Sequence, residues 1–166
     1  MTQDLATPPA RRDDLFDYRP DPDHPGWHRW MLHVQPGEQP IRFNNFLGLI
    51  LVQSRGDAAD GNQACVRMLP DVQHSNLLDA VHGGALLGFI DVALFAACYH
   101  LGALNAGPSV TLDLSSQFIA PARTGMPLDA EVEILRGTKR LVFLRGLLVQ
   151  GDVRACAFSA TIRKSG

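Results

Sequence analysis

No stretch of this 166-residue sequence gathers charge of one sign: 15 Lys and Arg stand against 17 Asp and Glu, for a formal net charge of -2. Without a basic stripe the chain offers nucleic acid no electrostatic footprint. Cysteine is scarce too. Cys65, Cys98 and Cys156 are an odd number in mostly apolar contexts, which suits reduced core residues of a cytoplasmic protein better than a disulfide framework. These cysteines and the six histidines show neither C-x-x-C nor H-E-x-x-H spacing, so no metal is expected. A G-x-S-x-G elbow is missing, which counts against an ordinary serine hydrolase. The opening MTQDLATPPARRDD lacks an apolar h-region, so no signal peptide is expected. A membrane span is a poor reading of the longest apolar run, because Asp91 cuts it into wholly apolar pieces well short of the roughly 18 to 20 residues required.

What the chain does have is ordinary globular composition, 46% hydrophobic and 19% charged, with length for one well-buried core. It also has one dominant stretch, HGGALLGFIDVALFAACYHL, from His82 to Leu101. Nearly every position after the glycines is apolar, which predicts a helix buried on all sides. Asp91 lies in its middle. An ionised carboxylate there costs several kcal/mol unless paired, hydrogen-bonded or protonated.

Residues 1 to about 26, rich in Pro, Asp and Arg, predict a flexible or loosely docked arm. WHRWMLHV, from Trp27 to Val34, spaces Trp27, Trp30, Met31 and Val34 as a short amphipathic helix that Pro36 and Gly37 end. Arm and helix together occupy residues 1–43, leaving 44–166 as the domain. FLGLILVQS and NQACVRML predict a hairpin across the turn-rich DAADGN. PDVQHSNLLDAV, from Pro70, is a polar loop that delivers the chain to the central helix. After the helix, SVTLDLSSQFI alternates Val110, Leu112, Leu114 and Phe118, read as facing inward, with Thr111, Asp113, Ser115 and Gln117. LDAEVEIL repeats the alternation through Leu128, Ala130, Val132 and Ile134, and two further strands flank Gly151-Asp152. The fold class is α+β: an antiparallel sheet of about six strands wrapped around one long helix.

The first N-H groups of a helix have no partners within it and sit at the positive end of its dipole, so Gly83 and Gly84 make a ready oxyanion site. Asp91, in an apolar cleft, suits a general base or nucleophile. His82 fits a structural place at the helix entrance, where imidazole nitrogens can bond to free backbone groups, and His74 is a further polar candidate in the loop. Lys139 and Arg140, after the Gly137 turn, and more weakly Arg123, are cationic donors suited to phosphate oxygens. Gly83 and Asp91 are eight residues apart, about 12 Å along a helix at 1.5 Å per residue. A carboxylate at that distance cannot reach a carbonyl held at its own helix start, whereas a two-fold dimer with antiparallel helices would bring Asp91 of one chain beside Gly83 of the other.

The order strand, strand, long helix, four strands resembles the hotdog fold. Asn76, six residues later His82-Gly83-Gly84, nine residues after His82 an Asp91, then TLDLSSQFIAPA at 111–122, resemble the acyl-CoA thioesterase family in its phenylacetate-pathway-like branch, from roughly Asn44 to Ile162. The resemblance implies hydrolysis of an acyl- or aryl-acyl-CoA thioester to the carboxylate and free CoA. No cofactor is implied beyond the CoA of the substrate. Asp91 would activate water or attack the thioester, Gly83 would supply the oxyanion N-H, and Asn76 would orient water or substrate. Thr111, counted back from Pro121, matches the family's Ser or Thr near the water, and Ser109 matches when counted forward from Asp91. His82, Gly84, His74, Lys139 and Arg140 would line the substrate. The implied assembly is a homodimer with shared sites, with pairing into tetramers left open. The rival readings are an acyl-CoA-binding module without turnover and, behind it, a hotdog hydratase or dehydratase.

Overall fold

The computed structural model describes residues 16–32, 42–56, 61–104 and 109–164. Its elements are β1 (Phe16–Pro20), β2 (His28–Leu32), α1 (Phe43–Phe46), β3 (Ile50–Ser54), β4 (Gln63–Met68), a 3-10 turn (Val72–His74), α2 (Gly83–His100), β5 (Val110–Phe118), β6 (Leu128–Gly137), β7 (Leu141–Gln150) and β8 (Val153–Arg163). One antiparallel sheet in the order β1-β2-β3-β4-β6-β7-β8-β5 curves around α2. The sheet has eight strands rather than about six because the chain before residue 43 adds two.

Residues 16–32 are not the expected arm and helix, and residues 1–15 of the expected arm lie outside the described residues. Phe16 and Tyr18 alternate with Asp17 and Arg19 in β1, which pairs with β2 in the register Phe16 to Leu32 and Tyr18 to Trp30. The expectation of a helix at WHRWMLHV failed because β2 and the residue before it carry a tryptophan on each face. Trp30 faces the main core, whereas Trp27 faces outward and forms a small second cluster with Leu51 and Cys65. Two apolar faces in a strand mimic helical spacing. The expected stop at Pro36 and Gly37 lies outside the described residues.

The β1–β2 connection is organised by Asp21, which is buried and accepts bonds from the Asp23 and His24 N-H groups at 2.9 Å, from His24 Nδ1 at 2.8 Å and from Arg29. Burial alone would raise its carboxyl, but the bonds from Arg29, His24 and the backbone outweigh it and hold the group well below the usual carboxylate range. Phe16 stacks on Trp30 at 4.7 Å between centroids, and Tyr18 meets Tyr99 of α2 edge-on at 5.0 Å. The hairpin is therefore packed on the core by aromatic contacts too few and too close together in sequence to show as a pattern.

His100, at the end of α2, is bonded on both ring nitrogens: Nδ1 to Tyr18 Oη at 2.7 Å and Nε2 to Ser54 Oγ at 3.0 Å. Burial, and then the neighbouring His28, push its pKa below the ordinary 6.5. A depressed folded-state pKa means that the unfolded chain binds the proton more readily. The stability His100 contributes is therefore complete above about pH 6.5 and is lost as pH falls below that value. Urea unfolding between pH 8 and pH 5 should show the wild type losing more stability than His100→Gln; equal losses would contradict the assignment.

α2 is the one described helix long and apolar enough to cross a membrane, yet ten of its residues, among them Phe89, Ile90 and Leu94, are buried within the sheet. Its burial is not complete all round. Leu87, Gly88, Asp91 and Phe95 are half-buried and Gly84 is exposed, a spacing that traces one open stripe along the helix. The apolar residues on the stripe hid it from the sequence pattern.

β5 differs from expectation as well. A bulge between Thr111 and Asp113 shifts its register against β8, so Thr111, opposite the buried Ile162, faces the helix. Val110 and Leu112 are exposed instead of turned inward, while Leu114 packs against the core and Phe118, on the helix side, stays 55% exposed. Leu128, Ala130 and Val132 of β6 are buried, as the alternation required.

Candidate active site

The loop before α2 is tied down at every turn. Asp71 and His74 cap the 3-10 turn reciprocally: the Asp71 carboxylate accepts from Val72 N-H at 2.6 Å, and His74 Nδ1 accepts from Asp71 N-H at 2.8 Å. His74 Nε2 donates to the Phe46 carbonyl at 2.8 Å. His74 is thus buried with both nitrogens engaged, neither solvated nor free to meet a ligand. Next, Asn76 Oδ1 accepts from Leu78 N-H at 2.8 Å and Ala80 N-H at 3.2 Å, which folds the 76–80 turn and points the chain at the helix. Val81 N-H donates to the Ala122 carbonyl and His82 N-H to the His74 carbonyl, at 2.8 and 2.7 Å.

His82 is the N-cap residue of α2, and its Nδ1 accepts from Gly84 N-H at 2.9 Å. A Cβ on Gly84 would lie 3.1 Å from that nitrogen, a tight contact that would press on the capping imidazole. The cap also separates the two glycines chemically. With Gly84 N-H taken, Gly83 N-H is left without an acceptor among the described residues, at the positive end of an 18-residue helix. The Phe118 ring lies beside Gly83.

Asp91 is on the open stripe, and Thr111 Oγ1 donates to its Oδ1 at 2.6 Å. A short bond from a hydroxyl fixes the carboxylate and, since the hydroxyl proton is spent on Oδ1, leaves Oδ2 to accept from elsewhere. No such bond joins Ser109 to Asp91 among the described residues.

The sequence candidates therefore separate into two groups within one chain. His82, Gly83 and Gly84 meet at the start of α2, with Asn76 in the 76–80 turn that leads into it, and Asp91 meets Thr111 eight residues beyond Gly83. Lys139 and Arg140 join neither group. They are exposed on the β6–β7 turn, which the Thr138 hydroxyl organises by accepting from Leu141 N-H at 2.9 Å, at the end of the sheet opposite the start of α2. Arg123, the weaker candidate, is the cation at the entrance: its backbone bridges Ala80, and the buried Gln150 amide holds it through bonds of 2.8 and 2.9 Å. Two apolar neighbours of the site, Phe118 by Gly83 and Phe43 on Gly88, left no signal in the sequence because nothing local distinguishes them from core phenylalanines.

A concavity of about 390 Å³ lies on the outer face of the sheet, away from these groups, between Arg55, Glu131, Glu133 and Arg145. Its charges already pair as Arg55–Glu131 and Arg145–Glu133, which leaves it little to offer a charged ligand. Among the described residues no three His, Cys, Asp or Glu side chains converge as metal ligands. Cys65, Cys98 and Cys156 are buried free thiols. Burial pushes Cys65 and Cys98 up to about 12, too high for a nucleophile at neutral pH.

The family model of the thioesterase superfamily matches residues 78–157, a span that holds Gly83, Asp91 and Thr111 and begins two residues after Asn76. Among solved structures the chain is similar to a mutant of the phenylacetic acid degradation protein PaaI from Thermus thermophilus, with 21% identity, 63% of this chain and 86% of that one covered, and a TM-score of 0.53. It is similar to the PaaI protein of the E. coli phenylacetic acid degradation operon, with 23% identity, 63% and 74% coverage and a TM-score of 0.55. A hypothetical thioesterase with coenzyme A from Streptococcus pneumoniae aligns with 18% identity, 63% and 80% coverage and a TM-score of 0.57. No curated protein matches the sequence.

Proposed function

We propose that this chain, which has the hotdog fold and matches the thioesterase superfamily model over residues 78–157, is an acyl-CoA thioesterase that hydrolyses an acyl- or aryl-acyl-CoA thioester to the carboxylate and free CoA. One observation carries the reading: α2 offers an acceptor-free N-H at Gly83 and, two turns on, a carboxylate held by Thr111 on its open stripe. The thioester carbonyl oxygen accepts from Gly83 N-H, where the helix dipole favours the negative charge that develops. Asp91 Oδ2 takes a proton from water, and the hydroxide adds to the carbonyl carbon. The tetrahedral oxyanion collapses, the carbon–sulfur bond breaks, and the CoA sulfur leaves as a thiolate that takes up a proton. Asn76 has spent its carbonyl oxygen on the turn, so its amide N-H groups are what it offers to substrate. Arg123, at the entrance, suits a phosphate of CoA.

The separation of Gly83 from Asp91 calls for two chains per site, in a homodimer with antiparallel α2 helices. A thiol-release assay over a panel of acyl-CoA esters tests the activity, and turnover of none above a denatured control would leave a binding module instead. The shared site has its own test. Asp91→Asn and Gly83→Pro, each nearly inactive, are unfolded together and refolded. Random pairing makes roughly half the dimers mixed, each with one intact site of two, so about a quarter of wild-type activity should return. Mixed dimers verified by two tags but no more active than the separate variants would place the whole site in one chain.

A further inference from the structure

The open stripe of α2 is not empty between its two functional ends. Gly88 lies on it, three residues before Asp91 and five after Gly83, and the ring of Phe43 from α1 is seated directly on it: a Cβ at Gly88 would collide with that ring. Glycine at this place is what admits the ring, since Gly88 has no positive φ to require it. Phe43 is 54% exposed despite this seat, so the ring touches the helix with part of its surface and presents the rest outward. Its neighbour Phe46 lies 5.9 Å away between centroids. α1 has only four residues, yet it is held by the entrance loop, because the Phe46 carbonyl accepts from both His74 Nε2 at 2.8 Å and Gln73 Nε2 at 2.9 Å.

We propose that Phe43, seated on Gly88, is the specificity-determining wall of the acyl subsite and restricts the substrate to thioesters of compact acyl groups. The proposal rests on the thioesterase reading and adds to it the class of acyl group. An acyl chain whose carbonyl carbon is within reach of Asp91 and which runs along the stripe toward the start of α2 meets the Phe43 ring after one helical turn. A short or compact group packs against the ring, and a long straight chain cannot pass it. The wall is apolar and ring-faced, with no polar side chain among Phe43, Phe46, Leu87 and Gly88, so it discriminates by size.

The experiment compares wild type, Phe43→Ala, Gly88→Ala and the double variant on butanoyl-CoA, phenylacetyl-CoA and decanoyl-CoA. Both turnover and the affinity of non-hydrolysable thioether analogues of the same three acyl groups are measured. Phe43→Ala should raise the preference for the decanoyl over the butanoyl group by at least about tenfold. Gly88→Ala, by pushing the ring off its seat, should shift the preference in the same direction. The double variant should then gain little beyond Phe43→Ala, because both changes act on one contact. An unchanged ratio in Phe43→Ala, with folding verified by cooperative unfolding, overturns the proposal. A variant that fails to fold is replaced by Phe43→Leu, for which a smaller shift in the same direction is required. If no ester is hydrolysed yet the analogue affinities shift as described, the hydrolytic reading fails and the wall stands. If the wild type hydrolyses esters and both ratios stay fixed, the wall fails and the hydrolytic reading stands. Binding of none of the analogues overturns both.

Discussion

Asp91→Asn should lower kcat by about 10² to 10⁴-fold on the best substrate, the range that loss of a positioned general base produces, while the thermal midpoint holds or rises. The two expectations have one structural source. The Thr111 hydroxyl donates to Asp91 Oδ1 at 2.6 Å, and an amide oxygen at the same place accepts that bond equally well, so β5 stays docked on α2. What the amide lacks is a second oxygen able to take a proton from water. Asparagine also relieves the half-buried stripe of a formal charge. The check is a thiol-release assay beside a thermal melt. Activity within about threefold of wild type would remove Asp91 from the chemistry, and a melt that collapses would make it a structural residue.

Gly83→Pro is the complementary loss, because the only hydrogen-bonding group it removes is the Gly83 N-H. Proline is favoured at the first position of a helix, where its missing donor had no partner in any case. His82, before it, has φ -62 and ψ 138, the extended conformation that a residue preceding proline prefers. A Cβ at Gly83 meets the Phe118 ring at 3.4 Å, an ordinary contact. The helix should therefore form as before, and kcat should fall by about 10² to 10³-fold, the usual effect of removing one oxyanion donor. Gly83→Ala, which keeps the N-H, is the control and should retain most of the activity. A proline variant with more than a tenth of wild-type kcat would show that the oxyanion is held by another group.

These two residues were legible in the sequence for a physical reason. A glycine pair at the start of an apolar run and a carboxylate in its middle break the rule that such a run obeys, and a broken rule is visible in one chain. The helix was legible on length, and β6, β7 and β8 on alternation and the Gly151 turn. Other features were not. Thr111 facing the helix depends on a bulge that leaves Leu112 unpaired, and a one-residue shift reverses the reading of every side chain before it. The β1–β2 hairpin has Phe16 and Tyr18 as its only inward apolar residues on β1, below what periodicity can register. His74 reads from sequence as a polar loop candidate because its partners, Asp71 N-H and the Phe46 carbonyl, are backbone groups that no side-chain pattern reports.

The two outermost strands of the sheet differ in a way that governs how copies of this protein can add to one another. β1 has five residues, ends in Pro20, which has no N-H to give, and carries the Asp17–Arg19 ion pair at 3.0 Å. β5 has nine residues, with Val110, Leu112 and Phe118 exposed along it. An incoming strand finds donors, acceptors and apolar surface at β5, and at β1 a short, charged, partly blocked terminus. Two copies that meet through β5 about a two-fold axis use up the only receptive margin each has among the described strands. Polymerisation by strand addition then stops at two, and the continuous sheet that results is self-limiting instead of the seed of a fibre.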